Sequence, residues 1–379
     1  MIDLSGGLVE QSLEQRRRVL FVTSFHPGGM GRIGAGEAIS AETIRRLRND
    51  VQQLDVLCVT PGYQRKNIEI MEFCDSYTQV AVNRWATLHA LIGHFLSGAW
   101  IAPWFFTRVF PEAVSALRRL ILEKKPTEVW IDFPSSLGFS GHIDGLPIHY
   151  FVHDIVNQKT SRSLLKRLFS SSVRRIESSL FRRVSHAYVL SNKDRDLLQE
   201  LGFTGEISVW PAQALNVGKV DNGRPIVDVV AEFGEGPNMV FFGNMGRPEN
   251  GQSITHFALF RLWRVRRAFP SATLWVIGLA PGLGLRMLGR IVPGLKVTGA
   301  VDDPTLAFRA AALCIAPLLF GAGVKIKVLQ MLDAGATVIA SPVGAEGIDP
   351  TSKLIVVENS QMVVRIIEFL RRPMLKIGS

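Results

Sequence analysis

Short apolar segments rich in β-branched residues alternate along this chain with longer segments in which apolar residues recur at helical spacing. In the first half, the strand-like segments read RVLFVTSF, LDVLCVT, EVWIDF, IHYFVHD and HAYVLS. In the second half they read NMVFFGN, TLWVIG, LKVTGAV, LCIAPL, TVIASP and KLIVVE. Helical segments such as VKIKVLQMLDAG lie between them. Because apolar strands joined by helices are typical of parallel sheets that are covered on both faces, the pattern predicts βα units throughout.

The length of the chain and one polar stretch predict two domains. A chain of 379 residues exceeds the usual size of a single domain. The stretch between the two sets of strands contains NVGKVDNGRPIVDVV and EFGEGPN, whose Gly, Asn, Asp and Pro content predicts a linker. We therefore expect a disordered tail over 1–18, a Rossmann-like domain over 19–212, a linker over 213–237 and a second such domain over 238–379. Ligands of doubly wound sheets bind beyond the carboxyl ends of the strands, so chemistry is expected in those loops.

The composition of the chain favours an anionic partner but does not identify which kind. The chain is 47% hydrophobic and 20% charged, with a formal net charge of +10, which favours an anionic partner such as a phosphorylated substrate, a membrane surface or a nucleic acid. Its three cysteines, Cys58, Cys74 and Cys314, have no metal-ligand spacing, and MIDLSGGLVEQSLEQRRR contains no apolar signal core. These features indicate a reducing compartment, and we expect a cytoplasmic protein.

One uncharged segment raises the question of a membrane. WATLHALIGHFLSGAWIAPWFF, from Trp85 to Phe106, is nearly long enough to span a bilayer. Its two histidines, its glycines and proline, and the flanking Arg84 and Arg108 favour a buried or membrane-apposed segment over a true span.

A second segment, KTSRSLLKRLFSSSVRRIESSLFRRVS, is amphipathic and basic. Its apolar positions recur at helical spacing, with cations on the other faces: Leu165, Phe169, Val173, Ile176 and Leu180 form the apolar stripe. Such a helix suits the anionic inner face of a membrane, and a solvated helix face remains the alternative. Nucleic acid is disfavoured because the aromatic residues lie on the apolar stripe and are not interleaved with the cations.

The loop FGAGVKIKVLQMLDAG carries the strongest candidate chemistry. It follows the strand LCIAPL and opens a helix that ends at Gly335. Gly321 and Gly323 allow backbone N–H groups to approach a ligand, and the positive end of the helix dipole adds to them. Lys325 and Lys327 oppose that dipole, an arrangement that is favourable when an anion binds there. The following turn carries Gln330 on the same face as Lys327, and Val328, Leu329 and Leu332 form the predicted buried stripe. The loop suits a diphosphate with a hydroxyl-bearing group one turn further on, and an ordinary solvated helix start is the alternative.

The chain from Met239 to Ile348 resembles, nearly end to end, the C-terminal domain of GT-B glycosyltransferases of the retaining family 4 type. The matching landmarks are FFGNMGRPEN, the strand TLWVIG, VTGAVDD and APLLFGAGVKIKVLQMLDAGATVIASPVGAEGI. The resemblance implies two doubly wound domains that face each other across a cleft. It also implies a nucleotide-sugar donor site formed by Gly243, Asn244, Arg247, Gly321, Gly323, Val324, Lys325, Lys327, Gln330 and Glu346.

Two positions depart from the family pattern. Gln330 stands where the family usually has Glu, and Ala322 stands at a position that is acidic in many members. A neutral amide still hydrogen-bonds ribose hydroxyls but supplies no charge. Glu346 follows a strand in VGAEGI, where both a sugar contact and a solvated loop carboxylate are open interpretations.

The N-terminal half carries weaker motifs. HPGGMGRIGAGEAISAETIRRL resembles the family's glycine-rich cleft loop, with Gly28, Gly29 and Gly31 as its lining residues. Gly29, Gly31 and Gly34 also spell GxGxxG, the dinucleotide motif. That interpretation is disfavoured because several residues separate the strand from the first glycine and the strand ending in CVT offers no acidic residue for a ribose.

His153 and Asp154 follow the strand IHYFVHD on the acceptor side of the predicted site. An adjacent imidazole and carboxylate can orient or deprotonate a hydroxyl, and a histidine that only caps the loop is the alternative. Asp194 and Asp196 spell DxD, a metal-nucleotide motif elsewhere, but their place after a strand favours first-turn acids capped by Ser191 or Asn192. We therefore predict no metal and no other cofactor.

The sequence thus predicts a glycosyltransferase that uses a nucleotide-sugar donor and a glycan or lipid-linked acceptor, with Lys327 and His153 as catalytic residues and a peripheral contact with an anionic membrane. Bacterial cell-surface or exopolysaccharide synthesis is the expected setting, and family resemblance implies retention of configuration. A non-catalytic nucleotide-sugar-binding or membrane-scaffold protein is the alternative, motivated by Gln330 and Ala322. The family's C-terminal crossover helix is expected to be shortened or absent, because the chain ends soon after QMVVRIIEFLRR.

Overall fold

The computed structural model describes residues 17–28, 35–62, 68–93, 95, 101–153, 155–156, 170–210, 229–301 and 303–372. Several sequence predictions lie wholly or largely outside these residues. They are the N-terminal tail, most of the linker, Gly29, Gly31, Asp154, and the first part of the basic amphipathic segment with Leu165 and Phe169.

The described residues contain thirteen strands, β1 to β13, and eleven of them correspond to the predicted apolar segments. Their bounds are β1 Arg18–Thr23, β2 Gln53–Pro61, β3 Ser76–Val82, β4 Glu128–Asp132, β5 Ile148–Val152, β6 His186–Val189, β7 Glu206–Val209, β8 Asn238–Phe242, β9 Thr273–Ile277, β10 Leu295–Gly299, β11 Leu313–Ala316, β12 Val338–Ala340 and β13 Leu354–Val356. β3 and β7 were not predicted, because neither contains a run of buried apolar residues.

The α-helices of the described residues cover the sheets. They are Ala35–Asp50, Ile68–Met71, Arg84–Gly93, Pro111–Lys124, Ser170–Phe181, Asn192–Glu200, Pro248–Phe260, Leu262–Ala268, Leu283–Ile291, Thr305–Ala310, Ile326–Asp333 and Met362–Arg371. Short 3-10 segments lie at Pro103–Phe105, Pro134–His142 and Val230–Glu232.

Local signals set several helix ends. Ser191 accepts a hydrogen bond from the Asp194 backbone N–H at 3.2 Å, so the predicted serine cap of that helix is confirmed. Gly335 has a φ of 86° and follows the Ile326–Asp333 helix, which confirms its role as the C-terminal stop. In the same helix Met331 is fully buried and Leu332 only partly buried, so the predicted stripe is displaced by one residue at its end.

The first sheet is parallel in its described pairings and has the order β3-β2-β1-β4-β5-β6-β7. Val19 of β1 lies opposite Leu54 of β2 on one side and Glu128 of β4 on the other. β1 is central, and its residues from Val19 to Val22 are almost inaccessible because helices cover both faces.

The second sheet repeats this arrangement with the order β10-β9-β8-β11-β12-β13, again with parallel pairing. One face packs Phe241, Ile254 and Phe257 with residues of the last described helix, including Met362 and Ile366. The other face packs Val240, Trp275 and Phe308 against Val328 and Met331. Two doubly wound parallel sheets are therefore present, as the strand pattern predicts.

The chain divides into two compact units. The first comprises residues 1–153, 169–189 and 198–208, and the second comprises 154–168, 190–197 and 209–379. Each unit contains one of the two sheets. Within the described part of the chain, no helix is both long and apolar enough to cross a bilayer.

Candidate functional site

Both sheets have a point at which the strand order reverses, and the candidate residues gather there. In the first sheet β1 lies beside β4, and in the second β8 lies beside β11. From such a pair the chain leaves toward opposite faces, so the loops diverge and open a crevice at the carboxyl ends of the strands.

In the first unit, Asp132 ends β4 and is only 1% exposed. Its carboxylate accepts hydrogen bonds from the hydroxyls of Thr23 at 3.1 Å and Ser40 at 2.5 Å. His153, just after β5, lies with its Nε2 atom 2.5 Å from the Asp132 Oδ1 atom. A buried carboxylate is stabilised by such donors, so it holds the imidazole in one orientation.

Two neighbours complete the placement of this ring. Phe133 stacks on His153 with ring centroids 4.2 Å apart and an angle of 7° between the planes. Phe133 reaches that position with a φ of 68°, which is rare for a non-glycine residue. Gly36 borders the pair, because a Cβ atom there would lie 2.7 Å from the Phe133 ring and 3.5 Å from the His153 Nδ1 atom. Asp132 engages Nε2, so Nδ1 is the ring nitrogen on the side of Gly36.

The predicted cleft loop is described only at its start. Gly28 has a φ of 58°, and its N–H donates to the Glu37 carbonyl at 2.8 Å. His26, two residues earlier, is buried with its Nδ1 atom 2.6 Å from the Tyr77 hydroxyl and 3.5 Å from the Cys58 thiol. These contacts join the beginning of the loop to β2 and β3.

In the second unit, the glycine loop leads from β11 into the Ile326–Asp333 helix. Gly323 has a φ of 73°, a conformation that favours glycine. Lys325 precedes the helix and is buried, and its ammonium donates to the carbonyls of Ala322, at 2.9 Å, and Gly323. The same ammonium lies 3.6 Å from the Glu346 carboxylate. Lys325 therefore stabilises the loop.

Lys327 points in another direction. Its Nζ atom donates to the Asn250 Oδ1 atom at 2.5 Å and lies 4.5 Å from the centroid of the Phe241 ring. Burial, followed by the like charge of Lys325, lowers the pKa of Lys327 to about 7. This lysine is held at the end of β8, where it can compensate an anion.

The remaining predicted donor residues lie around these two lysines. Gly243 and Asn244 directly follow β8, and Arg247 is exposed just before the Pro248–Phe260 helix. Val324 and Gln330 are half-buried on either side of Lys327 in the sequence. Glu346 is buried and forms ion pairs with Lys193 and Lys325. Their roles in donor binding stay predictions.

Of the DxD pair, Asp194 lies in the first turn of the Asn192–Glu200 helix and accepts a hydrogen bond from the Ser191 hydroxyl at 2.7 Å, whereas Asp196 lies beyond the first turn, contrary to the prediction. The contact of Asp194 agrees with its interpretation as a capping feature. No cluster of three or more potential metal ligands occurs within the described ranges.

Two residues of the site were not singled out from the sequence, namely Asp132 and Asn250. Asp132 appeared only as the end of a strand segment, although a carboxylate at the carboxyl end of a buried strand is itself a signal for a site. Asn250 appeared only as the last letter of FFGNMGRPEN, and it lies 77 positions from its partner Lys327. Nothing in the local pattern links those two residues.

Residues 236–372 match the family model described as glycosyl transferases group 1. Residues 236–372 are therefore similar to group 1 glycosyltransferases, and the two parallel α/β sheets have the GT-B fold.

Among solved structures, HepE of Anabaena in complex with UDP superposes with a TM-score of 0.60 at 14% identity, over 93% of this chain and 89% of that chain. WaaG, a glycosyltransferase involved in lipopolysaccharide biosynthesis, gives a TM-score of 0.58 at 15% identity, over 93% of this chain and 90% of that chain. The phosphatidyl-myo-inositol mannosyltransferase of Mycobacterium tuberculosis is 30% identical over 114 residues, which is 29% of this chain and 29% of that protein. The chain thus matches less than a third of the length of this curated relative.

Proposed function

We propose that the protein is a glycosyltransferase that moves a sugar from a nucleoside diphosphate donor to a glycan or lipid-linked acceptor. The observation that carries this proposal is the position of Lys327. This lysine lies in the first turn of the helix that follows the glycine loop, at the point where the strand order of the second sheet reverses. The sequence of this unit matches group 1 glycosyltransferases. Solved structures of HepE with UDP and with UDP-glucose support a nucleotide-sugar donor.

Cleavage of the sugar–phosphate bond leaves negative charge on the diphosphate. In our proposal Lys327, Arg247 and the N–H groups between Gly321 and Val324 stabilise that charge, because it is larger on the leaving group than in the intact donor. Gln330, one turn further on, hydrogen-bonds the ribose hydroxyls. The glycine loop that begins at Gly28 is proposed to assist in enclosing the donor.

His153 is proposed to act on the acceptor side. Asp132 holds the imidazole through Nε2, so Nδ1 is presented to a hydroxyl, which it can orient or deprotonate. Retention of the sugar's configuration is proposed from the family resemblance. We also propose that the diphosphate is compensated by these groups without a metal ion.

A binding screen with a matched control tests the donor proposal. Thermal unfolding is measured with UDP, GDP, ADP, CMP and their sugar conjugates for wild type, Lys327→Ala and Lys296→Ala, an exposed lysine on β10. A ligand at a hundredfold excess over its Kd stabilises by about 2.7 kcal/mol, so a true donor raises the Tm. We expect one nucleotide to stabilise wild type and Lys296→Ala but not Lys327→Ala. No shift with any nucleotide refutes the proposal, and binding without sugar transfer to a membrane extract favours the non-catalytic alternative.

We propose in addition that the first unit contacts an anionic membrane, as expected for a protein of cell-surface or exopolysaccharide synthesis. The Arg84–Gly93 helix exposes a row of large apolar side chains, with Trp85 73% and Ile92 63% exposed, and Phe95 lies just beyond it. The Ser170–Phe181 helix exposes Arg174 and Arg175. Exposed apolar side chains and exposed basic residues are both features of surfaces that bind an anionic bilayer.

Vesicle co-sedimentation tests this contact. We expect binding to phosphatidylglycerol vesicles to exceed binding to phosphatidylcholine vesicles, and to fall in Trp85→Ser and in Arg174→Gln/Arg175→Gln. Trp263→Ser, which changes an exposed tryptophan of the second unit, is the matched control. Equal binding by all variants argues against the contact.

A further inference from the structure

Asn250 is a nearly inaccessible polar residue whose side-chain amide forms hydrogen bonds through both its oxygen and its nitrogen. It is 6% exposed, in the first turn of the Pro248–Phe260 helix. Its Oδ1 atom accepts from the Lys327 ammonium at 2.5 Å, and its Nδ2 atom donates to the Asn244 carbonyl at 2.8 Å. Since the second contact requires the nitrogen at that position, the oxygen is directed at Lys327.

Lysine has a long, flexible stem, so the position of its charge depends on what holds it. Around Lys327 the stem passes Gly243, where an added Cβ atom would lie 3.5 Å from its Cδ atom. The ammonium then lies 4.5 Å from the Phe241 ring and meets the Asn250 amide. The amide is thus the polar contact that fixes the charge at the end of β8.

Asn250 is uncharged, and this property determines how it affects the charge of Lys327. Lys325, two residues earlier, lies 3.6 Å from the Glu346 carboxylate, which offsets its charge. Asn250 is neutral and offsets nothing. The charged groups that act on Lys327 are Lys325 on its own loop, Arg247 before the Pro248–Phe260 helix and Glu249 within it, so two cations oppose one carboxylate. When Lys327 is protonated, its charge is therefore not offset by its Asn250 partner and can be compensated by a bound anion.

We propose that Asn250 is a positioning residue for the donor diphosphate, which fixes the Lys327 ammonium beside β8 without neutralising it. This inference rests on the proposed donor function. Its distinguishing consequence is the pH dependence of binding: a bound diphosphate stabilises the protonated lysine, so binding takes up a proton at pH values where Lys327 is partly neutral.

The test compares Asn250→Asp, which keeps the shape but adds a charge, with Asn250→Ala, which removes both contacts. Binding of the nucleoside diphosphates and of inorganic pyrophosphate is measured by calorimetry between pH 6 and 8.5. In wild type we expect the Kd to rise above pH 7, by up to about tenfold per pH unit, because burial lowers the pKa of Lys327 to about 7.

Asn250→Asp is expected to bind at least about tenfold more weakly at pH 6 to 7, with a Kd that no longer changes with pH, because the new carboxylate keeps Lys327 charged and paired. Asn250→Ala is expected to retain the pH dependence, displaced to lower pH. If both variants weaken binding equally and keep the wild-type pH dependence, the role of Asn250 is merely structural and the proposal is overturned.

A second readout separates this inference from the donor proposal. The reactivity of the Lys327 amine toward an acylating reagent is followed by mass spectrometry as a function of pH, with exposed Lys296 as internal reference. We expect the reactivity midpoint of Lys327 in Asn250→Asp to lie at least about one pH unit above that of wild type. An unchanged midpoint overturns the positioning role. A raised midpoint in a protein that binds no diphosphate upholds the pairing with Lys327 and refutes the donor function.

Discussion

Replacing Asp132 by Asn tests the first-unit site, because the change keeps the size of the side chain and removes its charge. Asp132 accepts hydrogen bonds from Thr23 and Ser40, and the Nε2 atom of His153 lies 2.5 Å away. The hydroxyls of Thr23 and Ser40 can rotate to accept from an amide or donate to it. The His153 contact is weakened, because it survives only when the amide oxygen faces Nε2 and that oxygen carries no negative charge.

The magnitude follows from that single contact. A hydrogen bond to a charged group contributes about 1.5–3 kcal/mol, and a unit of this size loses about 2–4 °C of Tm per kcal/mol. We therefore expect Asp132→Asn to lower the Tm by about 3–12 °C. If the imidazole acts as the proposed acid or base, its loss of orientation should reduce kcat about 10²-fold or more, with little change in the KM for the donor.

The assay is sugar transfer from the donor found in the binding screen, with initial rates measured beside thermal unfolding. Ser40→Ala is the matched control, because it removes one hydrogen bond to Asp132 and leaves His153 in place. We expect Ser40→Ala to lose about 1 kcal/mol of stability and less than tenfold in kcat. Wild-type kcat in Asp132→Asn, or an equal loss of kcat in Ser40→Ala, refutes the reasoning.

Three further predictions follow from particular contacts. Gly278→Ala should strongly destabilise the second unit and abolish nucleotide binding, since its Cβ atom would lie 1.9 Å from the Gly243 carbonyl oxygen; circular dichroism melting and calorimetry measure this. Burial lowers the pKa values of His149 and His186 in the folded protein, so the unfolded chain binds more protons at acidic pH. The Tm should therefore fall as the pH drops below about 6.5, and this fall should be smaller in His149→Gln. Nucleotide affinity measured with and without EDTA should be the same, because Lys327 and backbone N–H groups compensate the diphosphate.

The central strands could be predicted from the sequence because burial on both faces leaves an unbroken apolar run. β1 illustrates this, with five consecutive buried residues. β3 and β7 lie at the edges of the same sheet, where one side of the strand has no neighbour and polar residues are tolerated. Their sequences, SYTQVAV and EISV, are partly exposed and contain no run of buried residues, so the apolar pattern that identifies a central strand is missing.

The two lysines of the glycine loop show where sequence reasoning stops. Lys325 and Lys327 are two positions apart, and the family resemblance places both in the donor site, with only Lys327 expected to be catalytic. Lys325 lies before the first helical residue, so its ammonium turns back to the loop carbonyls of Ala322 and Gly323. Lys327 lies inside the helix and points to Asn250. A difference of two positions along the chain thus separates a lysine that stabilises the loop from the one that we propose to bind the donor diphosphate.

The two units share one strand order but differ in the chemistry at the point where that order reverses. In the first unit that point holds a buried carboxylate with an imidazole, and in the second it holds an ammonium on a neutral amide. The topology explains why both sets lie at carboxyl ends of strands, but it does not select the residues. An imidazole held by Asp132 suits proton transfer at a hydroxyl, whereas the Lys327 charge suits a diphosphate. The proposed transfer of a sugar from a nucleoside diphosphate to a hydroxyl requires both chemistries. Variants of Asp132 should therefore change kcat with little effect on nucleotide affinity, while variants of Lys327 should lower both nucleotide affinity and kcat.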